Sequence, residues 1–153
     1  MALRFFGGLF TQKLERFHAT QPSAESEEDL LVAGQNLIDL LDELNDLAYD
    51  AVEDDHGLIR PSYYSIKHAM RFLLRLARKS ALLRPNNITT DNNGDIHISW
   101  GKGDRELDLI CPYEESEQPY LYYSSGGPKE FGVDANTDIA HMARRIRWAV
   151  LGA

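Results

Sequence analysis

Apolar positions recur at two different spacings along the chain, and the switch from one to the other marks the fold. Over residues 1–19, Leu3, Phe6, Phe10, Leu14 and Phe17 follow at intervals of three, four, four and three, which places them on one stripe of an amphipathic helix. Gly7-Gly8 interrupts that helix at a cost of roughly 1 kcal/mol per glycine. The polar, proline-containing stretch 20–26 then separates a semi-detached helix 1–19 from a single domain over 27–153. A second helix is predicted over 27–53, with Ser26 as N-cap and Asp29 at the capping-box position. Leu30, Leu37, Leu41, Leu44, Ala48 and Ala51 form its apolar stripe, and Asp39, Asp42, Asp46, Asp50 and Glu53 its opposite face. A third helix opens at Pro61, because the proline holds Arg60 extended and is itself suited to a first helical turn. Its apolar stripe is Ile66, Ala69, Met70, Leu73, Leu76 and Ala77, and it ends before Pro85.

Beyond Pro85 the period shortens to two. Asn93-Gly94 is the signal of a tight hairpin turn, and Ile96-His97-Ile98-Ser99-Trp100 alternates strictly, with Ile96, Ile98 and Trp100 on one face. Strands are predicted over 88–91, 95–100, 105–111 and 120–124, with Leu107, Leu109 and Cys111 on one face of the third. Phe131-Gly132-Val133 is a candidate extra edge at 130–133. A last helix covers 137–151, capped by Asn136 or Thr137, with Ile139, Met142, Ala143, Ile146 and Val150 as its stripe. The fold predicted is α+β in two layers: a four-stranded antiparallel meander over about 87–124, with an N-terminal helical hairpin and a C-terminal helix packed on one face.

Composition adds little to the fold and more to the choice of partner. The 153 residues include a single cysteine, Cys111, which cannot form an internal disulfide and fits a reducing compartment such as the cytoplasm. The first ten residues lack the basic start and the cleavage site of a signal peptide, and mean hydropathy is −0.39, with no run long enough to span a bilayer. Net charge is −8, which disfavours non-specific nucleic-acid binding and suits attraction to a basic partner. The charge is segregated. From Gln21 to Ile59 there are twelve acids and no Lys or Arg; from His56 to Thr90 there are seven basic residues and no acid. If the two helices are antiparallel neighbours, the basic face of Lys67, Arg71, Arg75 and Arg78 can meet the acidic face of 27–53 along their edges, and intramolecular pairing or a solvated face accounts for it more simply than nucleic-acid contact.

Motifs that carry chemistry are sparse. The five histidines show no ligand-type pair spacing and Cys111 has no second cysteine, so no metal and no cofactor is expected. Cys111 sits in the apolar register of its strand and reads as a small core residue. There is no Gly-x-Ser-x-Gly. Ser124 to Lys129 lacks the Gly-Lys-Ser/Thr of a phosphate loop and reads as a turn. Glu106 and Asp108 share one strand face, where two carboxylates can share a proton or a cation; the plainer reading is a solvated outer face. Two apolar features are left over. The stripe at 1–19 suits packing on the protein's own core, a partner or self-association, or a membrane surface. Trp148 lies nearly opposite Ile139 and Ile146 on the helical wheel, beside Arg144, the composition of an interface hot spot or of a helix buried on both sides.

The succession Pro61-Ser62, Ala69, Leu73-Leu74, Pro85, Asn93-Gly94-Asp95-Ile96-His97-Ile98-Ser99-Trp100, Arg105-Glu106-Leu107-Asp108-Leu109, Tyr122 and Gly132 resembles a loose family of small, uncharacterised α+β bacterial proteins found near mobile and defence genes, including toxin–antitoxin loci. The likeness covers a little over half of the chain, and its motifs mark the fold and transfer no catalytic residue.

Three functions emerge as expectations. The first is a non-enzymatic, antitoxin- or immunity-like protein that binds a basic protein partner through Phe6, Phe10, Asp42, Asp46, Asp50, Glu114, Glu115, Glu117 and Trp148. The second is a small nuclease-type enzyme working from the polar sheet face with His97, Arg105, Glu106 and Asp108. The third is a nucleic-acid-binding regulator that uses the basic helix 61–84 through Arg71, Arg75 and Arg78, extended by Arg144.

Overall fold

The alternation in 96–111 builds the centre of an open antiparallel sheet. A computed structural model of the protein describes residues 27–50, 60–79, 83–127, 131–135 and 137–152. Its contacts divide the chain into Met1–Val32 and Ala33–Ala153, and the sheet and its core belong to the second unit. Five strands, β1 (Asn87–Thr90), β2 (Ile96–Lys102), β3 (Arg105–Cys111), β4 (Tyr120–Ser124) and β5 (Phe131–Asp134), lie in the order of the chain, each antiparallel to the next. The expected extra edge is therefore a full fifth strand. Ile98 faces Leu109, which faces Leu121, and Trp100 faces Leu107, which faces Tyr123. Because side chains alternate across a sheet, these residues share one face.

That face is the core. Ile96, Ile98, Trp100, Leu107, Leu109, Cys111 and Leu121 are all buried, and three helices contribute to the same cluster. Helix α1 (Glu27–Asp50) enters it through Leu40 and Leu44, with Leu37 and Leu47 packed against it; α2 (Tyr63–Arg78) through Ala69, Phe72, Leu73 and Leu76; α3 (Ile139–Leu151) through Met142, Ile146 and Ala149. Trp100 satisfies its indole N–H by donating to the Leu83 carbonyl at 2.8 Å, so the largest core side chain buries no orphan donor. The other sheet face carries His97, Ser99, Glu106, Asp108 and Tyr122, and at its edge Phe131 and Val133, both exposed.

Several local expectations are corrected. The hairpin between β1 and β2 pairs Thr90 with Ile96, so its loop is the five residues 91–95 and not a two-residue turn. Asp91 makes the longer loop possible: its Oδ1 accepts from the amides of Asn93 and Asp95, while its backbone pairs with Asp95 and Gly94. Helix α2 starts two residues after Pro61, because Ser62 is extended and its hydroxyl accepts from Ser65 N at 3.1 Å. On α2, Phe72 is buried in place of Met70, which is exposed. On α1 the core stripe is 37, 40, 44 and 47, which leaves Leu41 half-buried. Helix α3 is capped by Asp138, whose Oδ2 accepts from Ala140 N and His141 N, rather than by Asn136 or Thr137. The tail of the predicted second helix, 51–53, and its N-cap Ser26 lie outside the described residues.

The expected meeting of an acidic and a basic helix face also changes. The α1 carboxylates Asp39 and Glu43 are bridged by Arg84, at 3.4 and 3.3 Å, from the segment that comes after α2. Among the described residues, Lys67, Arg71, Arg75 and Arg78 take part in no ion pair. The reason is packing: α2 spends its apolar stripe on the sheet, which turns its basic face away from the core.

Candidate partner-binding surface

The connection from β3 to β4, residues 112–119, crosses one end of the sheet as an acidic loop held by three fixed points. Pro112 and Pro119, at its two ends, are buried. The Tyr113 amide donates to Asp95 Oδ1 at 2.7 Å, and the Ser62 hydroxyl donates to the Tyr113 carbonyl at 2.7 Å. One residue thus ties together the β1–β2 loop, the cap of α2 and the acidic loop. The loop closes on itself where Glu117 N donates to Glu114 O at 3.2 Å. Gly94, with φ of +83°, lies under the Tyr113 ring so closely that a Cβ there would sit 2.6 Å from Tyr113 Cδ2. A hollow of about 510 Å³ opens between the two loops, lined by Asn92, Asn93, Asp95, Tyr113, Glu114 and Glu117.

The electrostatics at this end are those of an acidic surface. A hydrogen bond with Glu115, and the charge of that carboxylate, raise the Tyr64 phenol above its ordinary value. Burial raises Tyr120, helped by the charges of Asp95, Glu117 and Asp91. Burial likewise pushes the Cys111 thiol far up, with Asp95 adding to it, so Cys111 stays a protonated core residue. Asp91 moves the other way: burial opposes its ionisation, but the Asn93 and Asp95 amides and His97 outweigh it and lower its pKa. The carboxylates of Glu114, Glu115 and Glu117 are exposed.

The remaining expected contact residues are spread over the molecule. Asp42 and Asp46 are exposed on α1. Phe6 and Phe10, and the side chain of Asp50, lie outside the described residues. Trp148 is half-buried against the core, its ring edge-on to Tyr123 with centroids 6.2 Å apart. The cation on that aromatic pair is Arg145, 4.2 Å from the Tyr123 ring centre, and Arg145 also pairs with Asp134 at 3.7 Å. His141 Nε2 lies 2.5 Å from the same Asp134 carboxylate, so this cluster binds the edge strand β5 to α3.

Of the four residues expected to work together on the polar sheet face, Arg105, Glu106 and Asp108 line one open hollow, and His97 does not. His97 Nε2 lies 3.2 Å from Asp91 Oδ2, so that imidazole serves the hairpin loop. Arg105 is on the core side of β3 and reaches the Gly152 cap of α3, while Glu106 and Asp108 are on the outer side. Both carboxylates nevertheless border, together with Arg105, Lys102, Asn86 and Ser99, an open hollow of about 460 Å³. Among the described residues, no three His, Cys, Asp or Glu side chains form a group that could hold a metal ion, and no helix is long and apolar enough to cross a membrane.

Tyr113, Asn92 and Asn93 belong to the acidic end but are not among the contact residues expected from the sequence. The signal is present in Asn92-Asn93-Gly94, which marks a turn, but a turn motif does not say which other loop lands on it. Comparison of the chain with protein-family models, with curated proteins and with solved structures gave no match.

Proposed function

We propose that the protein is a non-enzymatic interaction protein of the antitoxin or immunity type, and that it binds a basic protein partner through its acidic surface. The observation that supports this is the end of the sheet built by loops 91–95 and 112–119. Exposed carboxylates there surround a hollow with one half-open aromatic ring, Tyr113, on a backbone fixed at Asp95 and Ser62. A rigid acidic rim around an aromatic suits Lys and Arg side chains, which such a site attracts by charge and holds by contact with the ring. The carboxylates Asp42 and Asp46 on α1 add to the field that steers a basic partner.

The test is kinetic. A basic protein captured from the host on the immobilised full chain is purified, and its association rate is measured against wild type and against the Glu114→Gln/Glu115→Gln/Glu117→Gln variant. Steering of this kind raises association rates by about 10- to 1,000-fold. We expect the variant to lose at least tenfold in association rate at 50 mM salt, and the difference to shrink as salt rises. Equal rates for the two proteins would refute the proposal.

A further inference from the structure

Helices α2 and α3 lie side by side on the sheet, and neither contains an acidic residue. Between them they carry four and three Lys or Arg, a charge of +7 in a chain whose net charge is −8, so everything else sums to −15. Among the described residues, one of these seven cations is spent on an internal ion pair. Arg145 pairs with Asp134, but Lys67, Arg71, Arg75, Arg78, Arg144 and Arg147 are exposed and form no ion pair among the described residues. On each helix they stand opposite the residues that enter the core, Ala69, Leu73 and Leu76 on α2 and Met142, Ile146 and Ala149 on α3, and so face away from the sheet.

We infer that the outer surface of α2 and α3 is a second binding platform, distinct from the acidic loops, which takes the phosphodiester backbone of a nucleic acid. Charge complementarity commits the surface to a polyanion. The choice among polyanions rests on three details. Five of the six free cations are arginines, whose planar guanidinium matches a phosphate in a two-point contact that an ammonium cannot make. Lys67, Arg71 and Arg75 advance four residues at a time, about 6 Å along the helix axis, so they track an extended chain of charges. Where the row begins, Tyr63 is 71% exposed with Lys67 Nζ 5.8 Å from its ring centre, which leaves an aromatic face open for a base to stack on. At the other end Arg75, Arg78 and Lys79 border a hollow of about 320 Å³ against Ile139 and Asp138, whose carboxylate is turned into the amides of Ala140 and His141. Like-charge crowding is felt on this surface: burial lowers the His68 pKa, and the charges of Arg71 and Lys67 lower it further.

The experiment is fluorescence anisotropy of the full chain with labelled 20-nucleotide probes: single-stranded DNA, duplex DNA and single-stranded RNA. Backbone binding of this type has a Kd of about 1–100 µM at physiological salt, and contact with four or five phosphates gives a slope near −4 for log K against log salt, or roughly a 250-fold loss between 50 and 200 mM. We expect binding to at least one probe with such a slope. Arg71→Gln/Arg75→Gln/Arg78→Gln should weaken it at least tenfold at 50 mM salt and flatten the slope by about 2–3, since each lost phosphate contact removes about 0.9. The pair Arg144→Gln/Arg147→Gln on the other helix should weaken it several-fold, and Lys102→Gln, on the β2–β3 turn, less than twofold. The acidic-loop variant Glu114→Gln/Glu115→Gln/Glu117→Gln should bind the probes at least as well as wild type, which separates this platform from the partner surface. All five exchanged arginines are exposed, and thermal unfolding of each variant shows that it is folded. The inference is overturned if no probe binds at 50 µM protein and 50 mM salt, or if both arginine variants bind like wild type. It is equally overturned if polyglutamate or inorganic phosphate, at matched anion concentration, competes as well as unlabelled oligonucleotide.

Discussion

Replacing Gly94 with alanine tests the joint on which the acidic surface depends. Gly94 has φ of +83°, a left-handed conformation that costs a residue with a Cβ about 1–2 kcal/mol. The added carbon meets Tyr113 Cδ2 at 2.6 Å and the Arg60 carbonyl at 3.2 Å. Backbone cannot yield there, so the Tyr113 ring must. That ring is 39% exposed, and swinging it fully into water forfeits the rest of its burial, about 1–2 kcal/mol. Alanine also restricts the unfolded chain, which returns about 0.4–1 kcal/mol. The net loss is about 2–3 kcal/mol, which lowers the urea midpoint by about 1 M for a denaturant slope near 2 kcal/mol per M. Gly103→Ala is the control. Its φ is +65°, but nothing lies within 4 Å of the new Cβ, so it carries the conformational cost alone, about 1 kcal/mol net. Urea unfolding monitored by circular dichroism compares the two. If Gly94→Ala is no more costly than Gly103→Ala, the ring does not rest on the hairpin and the account of the acidic loop fails.

Other perturbations reach other parts of the molecule. Asp91 ionises more readily in the folded chain than its ordinary value of 3.8, so its contribution to stability is fully present above that value and is lost as pH falls through the lowered folded value. The stability gap between wild type and Asp91→Asn should therefore close in acid, and urea midpoints from pH 7 to pH 2.5 that keep a constant gap would contradict it. Leu109 is fully buried on the central strand, and Leu109→Ala should cost about 2–5 kcal/mol, with a loss under 1 kcal/mol excluding it from the core. Arg84→Ala removes two exposed ion pairs to α1 and should cost less than about 1 kcal/mol, vanishing in 1 M salt; a larger, salt-independent loss would mean that Arg84 supports α1 by packing.

The strands were legible because alternation and burial are the same fact in a sheet with one covered face. Ile96, Ile98, Trp100, Leu107, Leu109 and Cys111 are core residues by register alone, whatever covers them. Helix faces were less legible because a helix offers adjacent stripes. On α2 the predicted stripe of Ile66, Ala69, Met70, Leu73, Leu76 and Ala77 contains the core residues Ala69, Leu73 and Leu76, but the buried face is turned by a step, so that it takes in Phe72 and leaves Met70 out. Caps were ambiguous for a similar reason: Asn136, Thr137 and Asp138 can all cap, and the one chosen is the one whose carboxylate meets the Ala140 and His141 amides. Of the candidate surface, the exposed glutamates were visible in the sequence. The anchoring of Tyr113 was not, because it comes from Asp95, Ser62 and Gly94, which only the fold brings beneath it.

Charge segregation shows why composition alone misleads about partners. An acid-only run succeeded by a base-only run suggests two faces that neutralise each other, and that holds only if the two helices pack along those faces. Here α1 and α2 both direct their leucines into one core on the sheet, and a helix that buries its apolar stripe there turns the opposite face to solvent. Pairing is thereby limited to what a flexible side chain from outside α2 can reach, and Arg84 alone, among the described residues, bridges to the α1 carboxylates. Among the described residues, six of the seven cations of α2 and α3 form no ion pair. A protein of net charge −8 can then attract a basic protein at its acidic loops and a phosphate backbone along the outer faces of α2 and α3, because within a Debye length of about 8 Å the local patch outweighs the total.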